Sequence, residues 1–228
     1  MVFANYDIAL EMPEIGRIYP FGCYNWRVLD TQSDKVFLLS EYILEFKEYC
    51  SEEYANRIYS SVTWEKCTLR SYLNNEFLNK FSQLDKSRII ETTVKNSHNL
   101  WYGTRGGRDT IDKVFLLSVD EVEKYLGNND DYRSRIRKRW INGNIVKHRK
   151  GALVSNINNE IRTATYFDVR THSWWLRTPG RNSDYATRVD RKGVIYVGGE
   201  SVECSFKFGA GVRPALWLNI GELNEVTA

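Results

Sequence analysis

The chain has little cysteine or histidine, and none of either stands in a catalytic or metal-binding spacing. Its four cysteines, Cys23, Cys50, Cys67 and Cys204, include no C-x-x-C pair, which excludes a zinc knuckle and a thioredoxin-type motif. His98, His148 and His172 are widely separated, with no H-E-x-x-H run, and no serine occupies a G-x-S-x-G turn. The glycines of YGTRGGRDT lack the Gly-Lys-Ser/Thr that would hold a nucleotide phosphate and its metal. We read that segment as a turn, with a phosphate-binding nest as the alternative. No cofactor or metal is expected.

Long hydrophobic runs are also missing. Nothing approaches the roughly 18 apolar residues that cross a bilayer, so no membrane association is expected. The opening MVFANYDIALEMPEIG has no basic segment followed by an apolar one. We therefore expect no signal peptide and a cytoplasmic chain with reduced thiols.

Aromatic residues are plentiful: seven Trp, fourteen Tyr and ten Phe among 228 residues, 42% of them hydrophobic. That is enough to build a core, and it excludes disorder as the default. The length suits one domain over 1–228: a strand and helix part at 15–126, a connecting stretch at 127–170 and a β-rich part at 171–220.

Charge is uneven. Between Arg133 and Lys150 eight cations and no acid carry +8, leaving −5 for the remainder of a chain whose net charge is +3. Tyr132 and Trp140 accompany those cations, and this composition serves phosphate contact with stacking as well as it serves a solvated loop. Arg135, Arg137, Lys138 and Arg139 are the candidate polyanion contacts, and nucleic acid is the possible partner.

Periodicity places the elements. Residues 15–40 alternate as strands. DKVFLLS occurs at 34–40 and again at 112–118, each time before acidic residues. Each copy is expected to be a strand feeding a helix, with Ser40 and Ser118 as N-caps. Leu69, Leu73, Phe77 and Phe81 recur every fourth residue, predicting one helix over 63–85, with a turn or capping box at Ser82–Asp85. IIETTVKN reads as a strand and SHNLWYGTRGGRD as a loop. After 172, SWWLRT, YATRVD, GVIYVG, ECSFKF and VRPALWLNI read as strands. In SWWLR alternation sends Trp174 and Leu176 to one face and Trp175 and Arg177 to the other. Arg177 and Arg213 are expected to be buried, tying backbone carbonyls with their rigid forks.

WEKCTLRSYLNNEFLNKFSQLDKSRII, DKVFLLSVDEVEKYL, WWLRTPG and GVRPALWLNI occur in an order that resembles an uncharacterised bacterial and phage domain family, over roughly residues 15–220. That family is similar to the formylglycine-generating-enzyme branch of the C-type lectin-like fold. The resemblance implies an α+β domain of short twisted sheets and a few helices. It also implies that the Trp/Arg strand and the terminal Gly-Val-Arg-Pro strand pair in the core. Where members carry a short polar stretch, this chain carries the basic segment 133–150. The enzymes of that branch use two cysteines near the C-terminus, whereas this chain has Cys204 alone there, so no copper site is expected. Lectins of the fold hold calcium with acids in the region of Asp184, Asp190, Glu200 and Glu203, but their Glu-Pro-Asn and Trp-Asn-Asp signatures are absent here.

These readings point to a non-enzymatic module that recognises a protein or glycan through the loops after WWLRTPG. Trp175, Arg181, Asn182, Ser183, Asp184, Tyr185 and Tyr196 are the expected ligand contacts, on one face. Tyr, Ser, Asn and Arg combine rigid aromatic area with adaptable hydrogen bonding, and loops change without disturbing the sheet beneath them. The alternatives are a polyanion-associated protein of phage or mobile-element origin, and an enzyme with a scattered polar site, for example one pairing Cys204 with His172.

Overall fold

A computed structural model describes residues 12–53, 62–127, 153–154, 158–167, 170–203 and 210–221. The basic stretch 133–150, the ECSFKF segment from Cys204 onward and the first eleven residues lie outside the described residues, so the readings made on them stand as sequence expectations.

The early alternation forms a meander: β1 (Ile18–Phe21), β2 (Tyr24–Gln32) and β3 (Lys35–Ser40). The last strand, β12 (Ala215–Asn219), returns to pair antiparallel with β3, giving the order β1-β2-β3-β12. Five of the six β3 residues are buried, as a continuous apolar run requires of a strand covered on both faces.

The second sheet is mixed. Its order is β4 (Glu45–Phe46), β11 (Gly211–Val212), β8 (Trp174–Pro179), β9 (Tyr185–Val189), β10 (Ile195–Ser201) and β7 (Leu153–Val154). β11 runs parallel to β8, with Gly211 opposite Trp174. A small hairpin joins β5 (Thr92–Val94) to β6 (Thr110–Asp112). Forty-one buried hydrophobic residues from all parts of the described chain make one cluster, so the layers share a single core. The α+β reading holds.

Three sequence expectations change on folding. The first DKVFLLS copy is the strand β3, but EYILEFKEY after it is not helical. Its backbone donors are claimed from afar: Ser40 N–H by Pro214, Glu41 by Asn25, Ile43 by Thr165 and Leu44 by Val212. A helix begun at Glu41 would turn Leu44 N–H back to the Ser40 carbonyl and carry Glu41 and Ile43 away from their acceptors, so tertiary pairing overrides local propensity. Ser40 is no N-cap; its hydroxyl donates to the Tyr42 carbonyl at 2.9 Å.

The second copy is not a strand beyond Asp112. Phe115 makes an isolated two-bond bridge to Ala215, and Leu117 accepts from Arg177 N–H at 2.9 Å. The helix after it, α3 (Val119–Leu126), forms as expected, with Ser118 and Glu121 in a reciprocal capping box. Earlier in the chain stand α1 (Thr68–Tyr72) and α2 (Gln83–Arg88).

The predicted long helix is in fact α1 followed by a π turn (Leu73–Phe77) and a 3₁₀ turn (Leu78–Lys80). Phe81 is extended, at φ −88 and ψ 150, and Ser82 then caps α2 by accepting from Asp85 N–H at 3.0 Å. The apolar stripe survives: Leu69, Leu73, Phe77 and Phe81 are all buried. The break follows from docking. Asn74 at the π turn accepts from Lys113 N–H at 2.8 Å and donates to the Val114 carbonyl at 2.9 Å, which pins the 113–114 segment to this run. Such single-turn π insertions mark places where a side chain must be re-aimed. Phe81 then reaches Phe21 and Tyr24 on the first sheet, with ring centroids 5.5 and 5.7 Å away.

The frame arginines are where the sequence places them. Arg177, 3% exposed, donates to the carbonyls of Leu116 at 2.6 Å and Lys95 at 3.1 Å and pairs with Glu121. Arg213, 1% exposed, donates to the Ser40 carbonyl at 2.8 Å and lies over the Trp174 ring. A third, Arg162 at the end of α4 (Asn159–Arg162), is fully buried against Glu123 and donates to the Gly193 carbonyl at 2.8 Å. Gly193 has φ +75, and a Cβ there would stand 1.7 Å from the Asn159 carbonyl oxygen, so the β9–β10 turn accepts only glycine.

Candidate functional site

β8 supplies the floor of the site. All six of its residues are buried, because β8 lies third in a six-stranded sheet that is covered on both faces. Beyond Pro179 the chain turns sharply. Gly180 N–H donates to the Tyr185 carbonyl and Arg181 N–H to Gly198 at 2.9 Å. A Cβ at Gly180 would come within 2.5 Å of the Tyr185 Cβ, so the turn closes only around glycine. The 181–185 loop is then held at its far side. Ser183 accepts from Val62 N–H at 3.0 Å and Asp184 from Val202 N–H at 2.9 Å.

Within this loop Arg181, Asn182 and Asp184 are exposed, while Ser183 and Tyr185 are half-buried. The Arg181 guanidinium lies over the Tyr185 ring, 3.9 Å from its centroid, a cation–π contact. Ser183 Oγ donates to Asp184 Oδ1 at 3.1 Å.

A second loop joins this one. Asn99, 2% exposed, donates from one amide group to the carbonyls of Pro179 at 2.8 Å, Gly180 at 3.3 Å and Val197 at 2.7 Å. Its Oδ1 accepts from Trp101 N–H at 2.9 Å and Tyr102 N–H at 3.2 Å. One side chain thus fixes residues 99–104 beside the 180–185 turn. Trp101 is half-buried against the core and Tyr102 is 37% exposed. Sequence reasoning took this segment only as a loop. The available signal was two large aromatics beside glycine, where a turn leaves little cover for them.

Two of the expected contacts belong elsewhere. Trp175 is fully buried; its Nε1–H donates to the Lys47 carbonyl at 2.9 Å and its ring meets Tyr49 edge-on at 5.7 Å. It is a core pillar and does not contact ligand. Alternation gave no sign that Lys47 and Tyr49 cover it, and the β8 register against β9 shifts between Trp175 and Pro179. Tyr196 pairs with Arg188 across β9–β10 and lies under that guanidinium, 5.1 Å away. Tyr185 and Arg188 stand three apart on β9, which carries no inserted residue, so their side chains leave opposite faces. Tyr196 therefore does not share a face with Tyr185. It belongs with Arg188, Glu200 and Ser173, which are joined at 3.1 Å and 2.6 Å.

Three of the acids considered for calcium, Asp184, Asp190 and Glu200, hold other partners. Asp190 Oδ1 accepts from Lys192 and Val194 N–H, and Glu200 pairs with Arg188. Among the described residues no group of three or more His, Cys, Asp or Glu is placed to hold a metal ion. In YGTRGGRDT, Arg108 donates from its backbone N–H and its Nε to Glu65, at 3.2 and 2.7 Å. The Arg108 guanidinium holds the Glu65 carboxyl below its ordinary pKa. A carboxylate of the same chain thus takes the position a phosphate would need.

A cleft of about 660 Å³ lies apart from these loops, lined by Lys47, Ser51, Cys67, Arg70 and Tyr72 among others. Several of its polar groups are engaged within the protein. Arg70 binds Asp112 at 2.7 Å, and Tyr72 donates to Glu45 while accepting from Lys80. Burial pushes the Cys67 thiol up to about 12, so at neutral pH it is a protonated thiol and a poor nucleophile.

Among the described residues no helix is long and apolar enough to cross a membrane. No curated protein and no solved structure matches the chain. Four-fifths of its length does match one family model, across both sheets and both candidate loops. The chain belongs to the family described as Domain of unknown function (DUF6273), whose model covers residues 33–220.

Proposed function

We propose that this domain is a non-enzymatic ligand-binding module of C-type-lectin-like arrangement, recognising a protein or glycan through the paired loops 99–104 and 180–185. The observation that carries the reading is the Asn99 clamp. It spends five hydrogen bonds on holding two surface loops, rich in aromatic and short polar residues, against a rigid strand end. Recognition surfaces are built in this way, with adaptable side chains on loops and a scaffold that does not move. The likeness to the lectin-like fold draws support from β8 and β11 lying side by side, which joins the WWLRTPG and GVRP segments in one sheet. A non-enzymatic role draws support from the large cleft, where the Cys67 thiol is suppressed and Arg70 is engaged by Asp112.

The test uses a glycan array and a displayed-peptide library as ligand sources. Binders are then re-measured with a Tyr102→Ala, Tyr185→Ala double variant. Both rings are partly exposed, so the melting temperature should stay within a few degrees while binding is lost. Binders that hold the double variant as tightly as the parent would refute the assignment of this face.

A further inference from the structure

Arg181 is the one cation of the 180–185 turn, and its surroundings are specific. Its backbone is fixed by the bond to Gly198, and its guanidinium lies over the Tyr185 ring, 3.9 Å from the centroid. Among the described residues that guanidinium makes no hydrogen bond and no ion pair. The Tyr185 hydroxyl and the Asn182 amide likewise have no hydrogen-bond partner there. The other frame arginines differ: Arg177, Arg162 and Arg213 donate to carbonyls, and the first two also pair with a glutamate. Contact with the ring restricts the guanidinium while its N–H donors stay without protein acceptors, so less entropy is lost when a carboxylate binds in a forked, two-bond geometry.

The geometry points to Arg181 as the anchor for the carboxylate of an acidic saccharide, of the uronic acid kind. This inference rests on the recognition face proposed above and names its ligand class. Asp184 decides between a sugar and an acidic peptide. It is exposed, one of its oxygens accepts from Ser183, and its remaining lone pairs need donors. Sugar hydroxyls supply donors close to a carboxylate. Acidic side chains carry no such donors of their own. The partly exposed rings of Tyr185 and Tyr102 provide apolar area suited to the C–H face of a pyranose, with polar rims for its hydroxyls. Association here is simple binding; no bond is made or broken.

The experiment is a ¹⁵N-NMR titration of the whole chain with matched oligosaccharides. Trimers of galacturonate, glucuronate and mannuronate are each compared with the neutral trimer of the same sugar, and a tri-glutamate peptide serves as the acidic control. The expected result is at least one acidic trimer bound about tenfold tighter than its neutral counterpart, a free-energy difference of ~1.4 kcal/mol. The Arg181 Nε–H and the amides of 180–185 should shift. Arg181→Gln should erase the preference. Arg181→Lys, which keeps charge without the fork, should retain only a few-fold. The preference should shrink as salt rises, since the site is exposed.

Equal binding of acidic and neutral trimers at this face would overturn the inference while leaving the recognition face intact. Binding of the glutamate peptide alone would overturn it in favour of an acidic protein ligand. The absence of any saccharide-induced shift at 99–104 or 180–185 would also overturn it, and the array and peptide-library test would then judge the broader reading separately.

Discussion

Asn99 and Pro179 stand 80 positions apart in the chain, and the Asn99 amide donates to the Pro179 carbonyl at 2.8 Å inside the core. The same side chain satisfies two further carbonyls and two loop N–H groups. Buried groups that lose their partners pay their desolvation in full, about 1–3 kcal/mol each. Asn99→Ala should therefore cost about 3 kcal/mol in urea unfolding, and hydrogen exchange at Trp101 and Tyr102 should speed up ahead of the core. Unchanged exchange at these two amides would show that the loop is held by other means.

Glu121 has two tasks. It closes the capping box of α3 and faces Arg177, whose side chain is 2% exposed against 27% for its own. Removing a cap costs about 1 kcal/mol, whereas leaving a buried charge unpaired costs several. Ser118→Ala should thus lower stability by about 1 kcal/mol. Glu121→Gln should lower it by about 2–3 kcal/mol, a value reduced because the pair is partly open to solvent. Equal losses for the two variants would mean that the ion pair contributes little.

Trp174 fills the space between Arg213, Val189 and Gly211, and its Nε1–H donates to the Arg162 carbonyl at 2.9 Å. Its truncation to alanine leaves a large cavity and an unpaired carbonyl. The loss should be about 3–5 kcal/mol, read from the denaturation midpoint. A loss below about 1 kcal/mol would mean the sheet collapses into the space.

The thiols give a pH test. Burial holds the Cys67 pKa up to about 12, against an ordinary 9.0, and burial also raises Tyr49 well above its ordinary value. In each case the folded state keeps a proton that the unfolded state loses. Their contribution is complete below about pH 9 and is lost as pH rises from there toward 12. Stability should fall with rising pH in this window, and Cys67→Ala should make the fall shallower by about one proton. In a Cys204→Ser background, exposed Cys23 should react with a thiol reagent at once, while Cys50 and Cys67 should wait for unfolding. Prompt reaction of Cys67 would contradict its burial.

Several features were legible in the residues themselves. Alternation over 15–40 yields β1–β3, Ser118 with Glu121 yields a helix start, and Ser82 with Asp85 yields another. Arg177 and Arg213, set between apolar neighbours, could be stable there only by donating to carbonyls. These are local matters: a strand period, a cap and a charge that must find acceptors within reach of its own side chain.

Partnership across the chain was not legible. The two DKVFLLS copies are identical, yet one is a full strand and the other a single bridge, because β3 has neighbours on both edges and Phe115 meets only Ala215. EYILEFKEY carries a helical pattern but gives the N–H groups of Glu41, Ile43 and Leu44 to three distant carbonyls. Trp175 is covered by Lys47 and Tyr49, far away in the chain, and Asn99 ties the 99–104 loop to the Pro179–Gly180 turn. The sequence by itself determined the class of the fold, its frame arginines and its helix caps, since these depend on neighbours within a turn or a strand. The tertiary structure alone decided which of the two DKVFLLS copies pairs, which aromatic faces are covered and which two loops meet, because those choices depend on segments that only the closed core brings together.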